Sequence, residues 1–202
     1  MALFGPSKKE IWKELSERIN ANYIEGSVLK KSRVEYSHKS WTIYLDTHTV
    51  SSGKSSTTYT RMRAPFINNN KFCFKINKKG LLSGIGKAFG MQNIESGYDS
   101  FDKDFIIKGN DELVVKDLLQ DKNIRNLMQN QPKMNLQIKD SQGVLGPSFN
   151  ENESELYFKV VGVIKDIDRL KSLFQLFIKI LDNFELKGIT LNHAPEVKLY
   201  KD

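Results

Sequence analysis

Apolar positions along the chain switch period several times, and each switch marks an element. Ile11, Leu15, Ile19 and Tyr23 recur every fourth residue beside Trp12, one helical stripe. Ser7-Lys8-Lys9-Glu10 has the form of a capping box at its start, and Gly26 is the expected stop. From Val34 the period becomes two: Trp41, Ile43 and Leu45 alternate with Thr42, Tyr44 and Asp46. A second β-rich run covers Thr57 to Phe66, so Ser51-Ser52-Gly53-Lys54 reads as the turn of a long hairpin. Asn68-Asn69-Asn70 leads into an alternating strand with Phe72, Phe74 and Ile76, closed by Lys78-Lys79-Gly80.

Residues 80–97 carry five glycines, which oppose helix and strand, while Leu82, Ile85 and Phe89 share one helical face. The segment reads as an apolar connector and as the place for a sub-boundary within a single α+β domain of residues 1–202. Beyond it the pattern predicts a short strand over Phe101 and Phe105 to Ile107. A helix capped at Asn110 or Asp111 follows, with a restart at Asp121 that ends before Pro132. Met134, Leu136 and Ile138 alternate, and Leu156 to Ile164 reads as a central strand buried on both faces. Asp166 then caps a core helix through Leu170, Phe174, Phe177, Leu181 and Phe184. The order lacks regular βαβ alternation, so the expected class is α+β, an antiparallel or mixed sheet with helices mainly on one face.

Charge adds one feature. Lys plus Arg is 31 against 24 acids, net +7, and the excess lies in residues 1–79, which hold 15 basic and 6 acidic groups. A basic half suits a phosphate-bearing partner, either nucleic acid or an anionic lipid surface; a solvated positive face with no dedicated partner is the plainer alternative. Cys73 is the only cysteine, so no intramolecular disulfide or multi-cysteine metal site can form in one chain. With no leader pattern and no apolar window long enough to span a bilayer, the expected location is cytoplasmic.

Catalytic signatures are scarce. Gly53-Lys54-Ser55 lacks the glycine a phosphate-binding loop needs at position 48, where His48 stands. Gly80 to Lys87 misses the same spacing, and Phe89 occupies the third glycine position of a dinucleotide motif. His38 and His48 flank one strand and read as separate strand-end residues. Glu151, Glu153 and Glu155 read as solvated loop, and Cys73 as a buried, inert thiol. No catalytic residue, cofactor or metal is expected, and a binding module is preferred to an enzyme. Two binding elements stand out. One is the hairpin, with Tyr59, Arg61 and Arg63 on one face and Trp41, Tyr44 and Lys54 on or near the partner strand, able to stack bases and meet phosphates. Its alternative is cross-strand packing covered by the arginines. The other is the connector, where Leu82, Ile85, Phe89 and Lys87 suit a lipid interface or a partner protein's groove, or simply pack over the sheet.

The stretch from Tyr98 to Leu119, with Phe101-Asp102-Lys103-Asp104-Phe105 ahead of a strand and a capped helix, resembles part of an uncharacterised bacterial family known only as a domain of unknown function. The resemblance spans residues 98–184 and implies a strand, a helix, paired strands and a final helix. It brings no catalytic residues.

Overall fold

The computed structural model describes residues 5–27, 30–80, 90–140 and 149–200. The chain opens with α1 (Lys8–Ile19), followed by β1 (Asn22–Ile24), β2 (Arg33–His38), β3 (Trp41–Ser52), β4 (Ser55–Ile67) and β5 (Phe74–Lys78). Then come β6 (Gln92–Ile94), α2 (Asp99–Asp104), β7 (Phe105–Gly109), α3 (Glu112–Gln120) and α4 (Lys122–Gln129). The last elements are β8 (Asn135–Lys139), β9 (Glu153–Val161) and α5 (Ile167–Leu186). The nine strands form one antiparallel sheet in the order β1-β2-β3-β4-β9-β8-β5-β7-β6. The class is α+β. Strand β5, from the basic part, lies between β8 and β7, so the sheet runs unbroken across the connector.

Alternation along the strands gives the sheet two unlike faces. Val34, Ile43, Leu45, Met62, Phe66, Phe74, Ile76, Leu136 and Phe158 form one apolar face, and all five helices join them in one hydrophobic cluster. Strand β9 is central and buried on both faces, as its apolar run predicts. The capping box on α1 is present, with Ser7 Oγ accepting from the Glu10 amide and Glu10 returning to the Ser7 amide. Trp12, fully buried on α1, donates its indole N–H to the Ile164 carbonyl at 3.1 Å and so ties α1 to the segment that joins β9 to α5. Phe184 near the end of α5 packs against Phe66, Phe72 and Phe74, with ring centroids 5.6–6.3 Å away.

Several sequence expectations need correction. Helix α1 stops six residues before Gly26, because Asn20 takes the left-handed conformation (φ 55°) and Tyr23 is drawn into pairing with Val34. Phe101 lies on α2, not on a strand. The Asp102 carboxylate accepts the amides of Ser96 and Gly97, and Phe101 stacks on Phe105 at 4.4 Å. Glu153 and Glu155 are buried in β9 and are not solvated loop residues. Within the connector, residues 92–94 form β6, held by β7; Leu82, Ile85, Lys87 and Phe89 lie outside the described residues. Among the described residues no helix is long and apolar enough to cross a membrane.

Truncating Phe184 to Ala leaves a void among three rings and removes the main link between α5 and the β4–β5 region. Urea denaturation should show a loss of about 3–5 kcal/mol. A loss below about 1 kcal/mol would mean that the ring cluster does not hold α5 in place.

Candidate functional site

Among the described residues, the helices of that cluster all pack on the first face of the sheet, and the second face is largely polar. Strand register places one row of side chains across it: Glu35, Tyr44, Arg63, Tyr157, Gln137, Lys75, Lys108 and Asn93 stand opposite one another in turn from β2 to β6. Asp46, Arg61 and Lys159 form part of the adjoining row. The hairpin residues singled out from sequence therefore divide. Tyr44, Arg61 and Arg63 meet on this face, Tyr59 continues it toward the tip, and Lys54 sits exposed at the turn. Trp41 is 1% exposed in the core on the opposite face and takes no part in a binding surface.

At the β3–β4 end the face is closed on itself. Asp46, 1% exposed, accepts from Arg61 Nε at 2.8 Å and Arg61 Nη2 at 2.6 Å. It also accepts from Arg63 Nη2 at 3.1 Å and from the Tyr200 hydroxyl. Arg63 Nη2 in turn donates to the Tyr200 oxygen at 2.7 Å. The Tyr200 ring lies under the Arg33 guanidinium at 4.3 Å and beside the Tyr44 ring at 5.3 Å. Burial would raise the Asp46 pKa, but the Arg61 hydrogen bonds and both guanidiniums overrule it and hold the carboxyl below its ordinary range. Burial and the Asp46 charge push the Tyr200 phenol well up, so it stays a donor. Glu153 fixes the same C-terminal segment further along, accepting the amides of Glu196 at 2.5 Å and Val197 at 3.2 Å. Tyr200 was not singled out from sequence, because the segment after α5 has no periodicity that would assign it to a face, and Glu153 reads from sequence as a solvated loop residue.

Toward β7 the face changes character. Lys75 stands directly opposite Lys108, and Arg61 directly opposite Lys159, both like-charge cross-strand pairs. Lys139 belongs to the same field, its ammonium 3.7 Å over the Tyr157 ring, while Lys159 lies 5.2 Å over Tyr59. All four lysines are half-buried. Burial, then Lys108 and Lys159, lowers the Lys75 pKa; burial, with Lys159, Arg61 and Arg63 and against Glu155, lowers that of Lys139. A polar-lined cleft of about 590 Å³ adjoins Lys75, with Asn68, Cys73, Gln137, Phe149 and Ser154 on its walls. Burial raises the Cys73 pKa, so the group there is the thiol. His38 faces Asp182 of α5 at 2.8 Å, whereas His48 lies on β3 beyond Asp46, so the two imidazoles serve separate places.

No family model and no curated protein matches this sequence. Among solved structures, the crystal structure of the mycobacterial trehalose monomycolate transport factor A, TtfA, is similar at a TM-score of 0.51 and 9% identity. The match covers 93% of this chain and 97% of that one, and at that identity the likeness is one of fold alone.

The depressed Asp46 pKa fixes a sign. A carboxyl whose folded pKa lies below its unfolded value stabilises above the unfolded pKa and loses that contribution as pH falls through the folded one. Asp46→Asn should cost about 3–5 kcal/mol near neutral pH and flatten the acid side of the stability profile measured by urea titration. An unchanged acid limb would remove Asp46 from the account.

Proposed function

We propose that the protein is a non-catalytic cytoplasmic module that binds an anionic, phosphate-bearing partner through the lysine-bearing part of its second sheet face. The observation that carries the reading is the cluster of four half-buried lysines, Lys75, Lys108, Lys139 and Lys159, on one sheet face, with Lys75 directly opposite Lys108. Directly opposed like charges destabilise a sheet, and partial burial strengthens their repulsion. A bound anion relieves both costs. The sequence pointed to Arg61 and Arg63 as the phosphate contacts. The geometry supports Lys75, Lys108, Lys139 and Lys159 in that role instead, because Asp46 already holds both guanidiniums.

The likeness in fold to TtfA, a transport factor, is consistent with a non-catalytic role. The resemblance of residues 98–184 to an uncharacterised bacterial family belongs with the same proposal. In this chain its Phe101 and Phe105 serve the core and add no chemistry.

Thermal unfolding tests the reading. Low-millimolar pyrophosphate should raise Tm above a sodium chloride control of equal ionic strength, by about 2–4 °C for each kcal/mol of binding. Lys108→Ala with Lys159→Ala should raise Tm without anion and lose most of the pyrophosphate shift. An equal shift in the double variant, or no shift in either protein, overturns the proposal.

A further inference from the structure

We infer that the partner is a single-stranded nucleic acid whose backbone crosses the strands from β7 to β9, an inference that rests on the anion-binding reading above. The cations form a bent line of lysines on successive neighbouring strands: Lys108 on β7 stands opposite Lys75 on β5, Lys139 on β8 lies two residues off that row to one side, and Lys159 on β9 two residues off to the other. At about 4.8 Å between strands the four lysines span about 14 Å across the sheet, which suits a short run of phosphates and exceeds what one small anion can span.

Two features beside that line suit bases. The first is an amide ladder within it: Gln137 Nε2 donates to Asn135 Oδ1 at 3.2 Å, and Asn135 Nδ2 to Asn77 Oδ1 at 2.6 Å. The half-buried Gln137 at its end presents an amide to the face, and amides match the donor and acceptor edges of bases. The second is the cleft, where Gln137 and Phe149 line the wall beside Lys75 and suit a base next to a phosphate contact, with Asp140 and Glu151 also on the lining. A bilayer needs neither feature and instead calls for apolar groups that enter the interface. Among the described residues the exposed large apolar side chains are Val50, Leu113, Val161, Val163, Leu186 and Leu191, and of these only Val161 shares a strand and face with one of the lysines, Lys159.

The experiment is fluorescence anisotropy on the full chain with a labelled mixed-sequence single strand, as RNA and as DNA, over a salt series. An abasic strand of the same charge and vesicles containing phosphatidylserine serve as the other probes. The slope of log K against log salt should be negative, and Lys108→Ala with Lys159→Ala should reduce it by about 1.4, at about 0.7 per phosphate contact. The base-bearing strand should bind several-fold tighter than the abasic one. Equal affinity for the two strands overturns the nucleic-acid inference, as does binding to vesicles without binding to either oligonucleotide, and both results leave the anion-binding reading standing. No binding to any probe, together with no pyrophosphate shift, sinks both.

Discussion

A single buried carboxylate decides what the second face of this sheet can do. Asp46 receives both guanidiniums of β4 and the hydroxyl of Tyr200, and a charge so placed is tolerable only because those donors surround it. Two consequences follow from that one contact. The arginines become structural, and the C-terminal segment is pinned across β3 and β4. Further along the face the cations are lysines, of which Lys139 and Lys159 reach over tyrosine rings on flexible stems.

The division between the faces follows from strand alternation and needs no special device. Every second residue feeds the helical layer, and the residues between must find polar uses. Near β3 and β4 they find one another; near β8, β5 and β7 they are largely of one sign. Packing contributes to the electrostatics as well, because half-buried ammonium groups repel more strongly than solvated ones. Burial is the main reason that the pKa values of Lys75 and Lys139 move down and those of Tyr157 and Tyr200 move up.

Much of the fold could be read from periodicity, since long elements repeat the same signal many times. The Ser7 and Asp166 caps, the β3–β4 hairpin, the doubly buried β9 and the α5 stripe all carry local signatures. Three-residue strands such as β1 and β6 hold too few alternations to register, and they exist because a neighbouring strand offers hydrogen bonds. The site was legible only in part. Local pattern correctly placed Tyr59, Arg61 and Arg63 on one strand face, yet the partner that occupies the arginines, Asp46, comes from register, and Tyr200 comes from 137 residues beyond Arg63. The lysine line depends on strand order, which brings β5 between β8 and β7, and no local feature of the sequence encodes that order.

The claim that the lysines and not the arginines meet the partner is open to direct observation by nitrogen-detected NMR of the side chains during titration with a single-stranded oligonucleotide. The Nζ resonances of Lys75, Lys108, Lys139 and Lys159 should shift together, while Nε of Arg61 and Arg63 stays in place. Movement of the arginine signals with the four lysines unchanged would contradict the account.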